Sequence, residues 1–307
     1  MSDGFTSDGG LLTSAVPSFH PTTNILRQTT GPRRMRNQIY KTLLLATFII
    51  LTYTAQATTT ELDQGYNNLY NANFAAAHIS FHNWMQAHPE DPLGPVSDAA
   101  AFLFDEFNRL GVLDIELFAD DDRFTSRKRP TPNPEMRTSF DRRTQQADSL
   151  ADTILKTTPN NAQALFAKTL VCGLRSDYAA LIDKSQLTAL RLSKQGTALA
   201  AQTLQANPLL YDAHLASGIE NYMLSLKPAP VRFIVRMSGA STDKAKGISE
   251  VSITAERGHY LAPFAQLMLA VAELRDGNKT EAKAILADLA QKFPQNPLYA
   301  RQLNRIH

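Results

Sequence analysis

Residues 263–297 read PFAQLMLAVAELRDGNKTEAKAILADLAQKFPQNP, and this stretch decides the fold. Two apolar stretches at helical spacing, Pro263–Asp276 and Lys279–Lys292, meet at Asp276-Gly277-Asn278, a turn by composition. Ala270, Ala282, Leu286 and Pro294 mark the unit at spacings of 12, 4 and 8. Each position has a physical task. A small residue on the first helix lets the second approach, and a small residue early in the second lies at the same crossing. A bulky apolar residue one turn later fills the gap, and proline stops the second helix. The same spacings, 12, 4 and 8, recur at Gly65, Ala77, Phe81 and Pro89, on helices expected over Glu61–Asn71 and Phe74–Ala87.

Between these copies the chain stays helical but less regular. Ala147, Ala151 and Pro159 keep the second-helix half of the pattern. Pro159-Asn160-Asn161 and Asn207-Pro208 repeat the stop signal, each followed by an apolar helix, Ala162–Leu174 and Leu209–Leu226. Lys184–Ala206 and Lys244–Arg257 are their expected partners, and Ser97–Leu110 carries Phe102, Leu103, Phe104, Phe107 and Leu110 at helical spacing. No stretch reads as a paired set of strands, so the expected class is all-α.

The two units resemble the tetratricopeptide repeat (TPR), a helix–turn–helix of about 34 residues. Gly65, Phe74, Ala77, Phe81 and Pro89 carry the resemblance in the first copy, and Ala270, Gly277, Ala282, Leu286 and Pro294 in the second. The family's tryptophan early in the first helix is missing from both, and Lys279 stands where the first copy has Phe74. The resemblance implies a TPR-like solenoid over 58–307, clearest over 58–92 and 263–297. Two irregular insertions interrupt it at 119–137 and 227–243. The C-terminal part, from Leu209 to Pro297, also resembles an exported bacterial type of TPR protein that carries such an insertion.

The N-terminus reads as an address. Arg33, Arg34, Arg36 and Lys41 precede an apolar run from Leu43 to Tyr53, and Ala55-Gln56-Ala57 follows, the three parts of a secretory signal peptide. The run falls short of the ~20 residues that span a bilayer. The segment 35–57 is therefore expected to direct export and to be cleaved after Ala57, with an uncleaved anchor as the alternative. Residues 1–34 are rich in Gly, Ser and Thr without any period and read as disordered. Met35 is an equally good start. Beyond residue 57 the chain holds 26 Lys and Arg against 27 Asp and Glu, a balance without the basic footprint of a nucleic-acid binder. Cys172 is the single cysteine, so no intrachain disulfide forms, and its apolar helical setting marks a buried structural thiol.

Motifs for chemistry are sparse. His78 and His82 are four apart on one helix face, a spacing that holds metals, with His88 nearby; Ile79 stands where a metalloprotease helix needs glutamate. Asp120-Asp121-Asp122 lacks the alternating ligands, glycine and closing glutamate of a calcium loop. Asp105 and Glu106 are adjacent and face apart, and no phosphate loop or Gly-x-Ser-x-Gly is present. Neither catalysis nor a cofactor is indicated.

In a solenoid the first helices line the inner face. That places Tyr66 and Tyr70 on it in the first unit, with His214, Asn221 and Tyr222 in a middle one. Such side chains suit an extended peptide or a partner helix. The expectation is an exported, non-catalytic scaffold that binds a protein or peptide in the periplasm or envelope. Two alternatives stand beside it. One is an envelope enzyme or metal-binding protein using His78 and His82; the other is a peripheral membrane protein using residues 228–237, with Arg232, Phe233, Ile234, Val235 and Arg236. For that insertion the plainer expectation is that its apolar side chains pack inward while its arginines stay in water.

Overall fold

The computed structural model describes residues 59–113, 131–237 and 242–306. The expected leader, the signal segment and residues 119–130 of the first insertion lie outside them. The described residues are helical and contain no strand. The helices are α1 Glu61–Tyr70, α2 Phe74–Ala87, α3 Leu93–Leu110, α4 Pro134–Thr157, α5 Ala162–Leu181 and α6 Gln186–Ala206. They continue as α7 His214–Ser225, α8 Ala229–Met237, α9 Lys244–Arg257, α10 Ala262–Arg275, α11 Lys279–Lys292 and α12 Pro297–Arg305. A 3-10 turn, Tyr211–Ala213, leads into α7.

Local chemistry sets the boundaries. Thr60 and Asp63 form a reciprocal capping box at the start of α1. Asn133, Asn161 and Asp243 cap α4, α5 and α9 by accepting hydrogen bonds from backbone N–H groups of the first turn. Gly111 ends α3 at φ 63°, a left-handed conformation that glycine adopts without strain. α3 begins a turn earlier than the sequence indicated, because Pro95 lies in a first turn that needs no internal donor. α5 runs to Leu181 rather than Leu174, so Gly173 lies inside a helix. α4 starts at Pro134, within the stretch read as an insertion over 119–137. Glu106 on α3 explains the anchoring: it accepts hydrogen bonds from the Asn133 backbone N–H at 2.7 Å and from Arg109, which also reaches the Thr131 carbonyl.

Consecutive helices pack in pairs, α1 with α2, α3 with α4, α5 with α6, α7 with α9 and α10 with α11. The crossings have the anticipated chemistry. A Cβ on Gly65 would lie 2.3 Å from the Phe81 ring, so only glycine admits that ring. Ala270, Ala282 and Leu286 are fully buried at the matching crossing of α10 with α11. Middle pairs use glycines that the sequence reading did not single out. A Cβ on Gly218 of α7 would meet Val251 of α9 at 2.8 Å, and one on Gly247 would meet the Tyr222 backbone nitrogen at 2.6 Å. Gly196 of α6 packs on Cys172, which is buried as expected.

The last described helices return to the first. Tyr70 donates its hydroxyl to the Tyr260 carbonyl at 2.8 Å, and Asn296 donates to the Tyr70 carbonyl at 2.9 Å. His259 and Asp63 lie 2.6 Å apart, and the rings of Tyr66 and Tyr260 stack with centroids 4.7 Å apart. One apolar core therefore runs from Leu62 to Tyr299.

Candidate functional site

An interior cavity of about 120 Å³ lies where the first helices of the pairs converge. α1 contributes Tyr66, Leu69 and Tyr70; α3 contributes Val96, Ala100 and Phe104 at successive turns; α7 contributes Leu215, Ala216 and Ile219. Phe264 of α10 closes the far side and meets Phe104 edge-on, centroids 5.6 Å apart. α5 presents a continuous stripe, Phe166, Leu170, Gly173 and Asp177, spaced by four, three and four residues on one helical face.

Gly173 and Asp177 are the unusual members. Glycine inside a helix costs about 1 kcal/mol relative to alanine, and close packing normally explains its presence. Here nothing lies within 4 Å of a Cβ built on Gly173. The residue is exposed and lines the cavity, so it marks an opening. Gly173→Ala is expected to raise stability by about 0.5–1 kcal/mol in denaturant unfolding; a loss would show that the position carries hidden packing.

Asp177 is half-buried and makes no hydrogen bond or ion pair with any described residue. Burial alone pushes its carboxyl up to about 7. Charged neighbours are engaged elsewhere: Arg175 turns to Thr144 and Asp148 on α4, and Asp212 to backbone N–H groups. The folded state thus keeps this proton up to about pH 7, whereas an unfolded aspartate releases it near pH 4. Folded chains bind more protons in that window, so stability falls as pH rises through it. Asp177→Asn removes this loss. It is expected to be more stable than the wild type by about 1–2 kcal/mol at pH 8, after allowance for partial solvation, with the difference vanishing near pH 4. A difference that does not change between pH 4 and pH 8 would contradict the assignment.

Asp212, on the 3-10 turn, is 3% exposed and also lines the cavity. Its carboxylate accepts from the backbone N–H groups of His259, Tyr260 and Leu261 at 2.9, 3.1 and 2.7 Å. Burial raises its pKa, and those three donors oppose the rise. Asp212 thereby fixes the loop whose Tyr260 carbonyl receives Tyr70.

The structure gathers Tyr66 and Tyr70 at this cavity, with their rings 5% and 7% exposed, so they address the interior. Tyr66 accepts a hydrogen bond from Ser97, and burial raises both hydroxyl pKa values. His214 is half-buried at the start of α7. Asn221 and Tyr222 are buried on the same helix, outside the cavity lining. His78 and Asp98 lie 2.5 Å apart, and Arg143 donates to the second Asp98 oxygen at 2.6 Å. His82 contacts Gln86 instead. Among the described residues no group of three or more His, Cys, Asp or Glu side chains is placed to hold a metal.

The insertion over 227–243 forms α8. Val231, Phe233 and Met237 are exposed, 65% for Phe233 and 77% for Met237, while Arg232 donates to the Lys227 carbonyl at 2.9 Å. At Val231, Phe233 and Met237 this departs from the expectation of inward-packed apolar residues: Arg232 turns back to a helix end, and these three side chains face out. No described helix is long and apolar enough to cross a membrane.

Asp177, Gly173 and Asp212 were not singled out from the sequence. The signal for the first two was one carboxylate and one glycine on an otherwise apolar helical stripe. No model of a known protein family, no curated protein and no solved structure matches this chain.

Proposed function

We propose that the chain is an exported, TPR-like solenoid acting as a non-catalytic binding protein of the periplasm or envelope, its helical hairpins arranged around a ligand site. Recurrence supports the repeat reading. Ala77 and Phe81 have counterparts in Ala147 and Ala151, Gly196 and Ala200, Gly247 and Val251, and Ala282 and Leu286, always four apart and all buried. The observation that carries the binding reading is the cavity itself. Its walls are mostly apolar, with the hydroxyls of Thr169, Ser176 and Ser193 among them; it opens beside Gly173, and Asp177 is its one charged group without a partner among the described residues. A protein or peptide partner reaches this site through a single inserted side chain or terminus.

Native mass spectrometry of the full chain, gently extracted from the envelope, tests the proposal. The expected result is a retained stoichiometric ligand, chemically unchanged on release and missing from Gly173→Phe. An empty chain, or a ligand converted during incubation, would contradict it.

A second reading rests on α8, whose exposed Phe233 and Met237 lie one turn apart beside Arg232, as in a helix that touches a membrane surface. Vesicle flotation that disappears in Phe233→Glu with Met237→Glu would support this reading, and flotation unchanged by the pair would end it.

A further inference from the structure

We infer that the cavity takes a small aryl- or alkyl-amine, its apolar body among the aromatic walls and its ammonium group on Asp177. This rests on the binding-protein reading and specifies its ligand. The size follows from the space. A cavity of about 120 Å³ is close to the ~150 Å³ apolar cavities that hold one benzene ring. The body follows from the walls: Tyr66, Phe104, Phe166 and Phe264 offer ring faces and edges, and Leu170 and Ile219 offer aliphatic surface.

The charge follows from Asp177. An ionised carboxylate in an apolar setting without a partner is costly, and a cation removes that cost. The other cavity carboxylate, Asp212, is already satisfied by three backbone donors. Asp177 is thus the group with acceptor capacity to spare. Its place four residues beyond Gly173 sets it near the opening, so an amine enters apolar end first and leaves its ammonium at the half-solvated carboxylate. A neutral alcohol of equal shape gains the apolar contacts but lacks the ion pair.

The test is isothermal titration of the full chain at pH 8 with 2-phenylethylamine and, separately, with the uncharged 2-phenylethanol. The wild type is expected to prefer the amine at least tenfold, the size of one charge-assisted hydrogen bond. Asp177→Asn should lose this preference and still bind the alcohol, and Gly173→Phe should lose both. Equal binding of amine and alcohol by the wild type, or an amine preference that survives Asp177→Asn, would overturn the amine assignment and leave the cavity as a binding site. Binding of neither probe by the wild type, or affinities that Gly173→Phe leaves unchanged, would overturn the binding site as well.

Discussion

Phe81→Ala is expected to lower stability by about 3–5 kcal/mol, the largest loss of any single truncation considered. Phe81 is fully buried, it meets the Tyr66 ring edge-on with centroids 5.4 Å apart, and its ring occupies the space that a Cβ on Gly65 would need. Removal leaves a hole at the crossing of α1 with α2 and withdraws support from a tyrosine of the cavity wall. In a body of this size such a loss lowers Tm on the order of 10 °C. The converse change probes the same contact. Gly65→Ala pushes a methyl into the ring and should cost about 1–3 kcal/mol, but much less when Phe81 is already alanine. That coupling distinguishes steric fit from helix propensity. Thermal unfolding of the four proteins reads it, and strictly additive losses would contradict the packing described.

Asp212→Ala is the second large effect, about 3 kcal/mol or more. Three backbone N–H groups lose one shared acceptor, and an unsatisfied buried donor costs about 1–3 kcal/mol. The damage should be local in a readable way. Amide exchange at His259, Tyr260 and Leu261 should accelerate, and the Tyr70 hydroxyl should lose its carbonyl partner as the loop moves. Asp212→Asn keeps one acceptor oxygen and should fall between alanine and wild type. Exchange at these three amides unchanged in Asp212→Ala would contradict the role given to Asp212.

The terminal pairs were legible because their crossings use contrast: glycine or alanine against phenylalanine or leucine, at fixed spacing and followed by proline. At the crossing of α7 with α9, by contrast, Gly218 and Gly247 place small residues on both helices, so no bulky partner announces the contact. α5 was read seven residues too short for a physical reason. Gly173, Arg175, Ser176 and Asp177 resemble a helix end, a glycine followed by polar groups, yet the helix continues and Gly173 and Asp177 line the cavity. The return of the last helices to α1 was not legible at all. It depends on hydrogen bonds such as Tyr70 to Tyr260 and Asn296 to Tyr70, between residues separated by 190 and 226 positions, which no local period encodes. Tyr66 and Tyr70 lie on the face of α1 that lines the cavity. Their burial was hidden because it comes from that distant closure.

Intermolecular NOE measurement on the methyl-labelled full chain with 2-phenylethylamine tests the central claim most directly. The account predicts contacts from the ligand ring to the methyls of Leu170, Leu215 and Ile219, which line the cavity, and their loss in Gly173→Phe. Contacts only to exposed methyls such as those of Ile79, Leu187 and Leu209, or none at all, would contradict it.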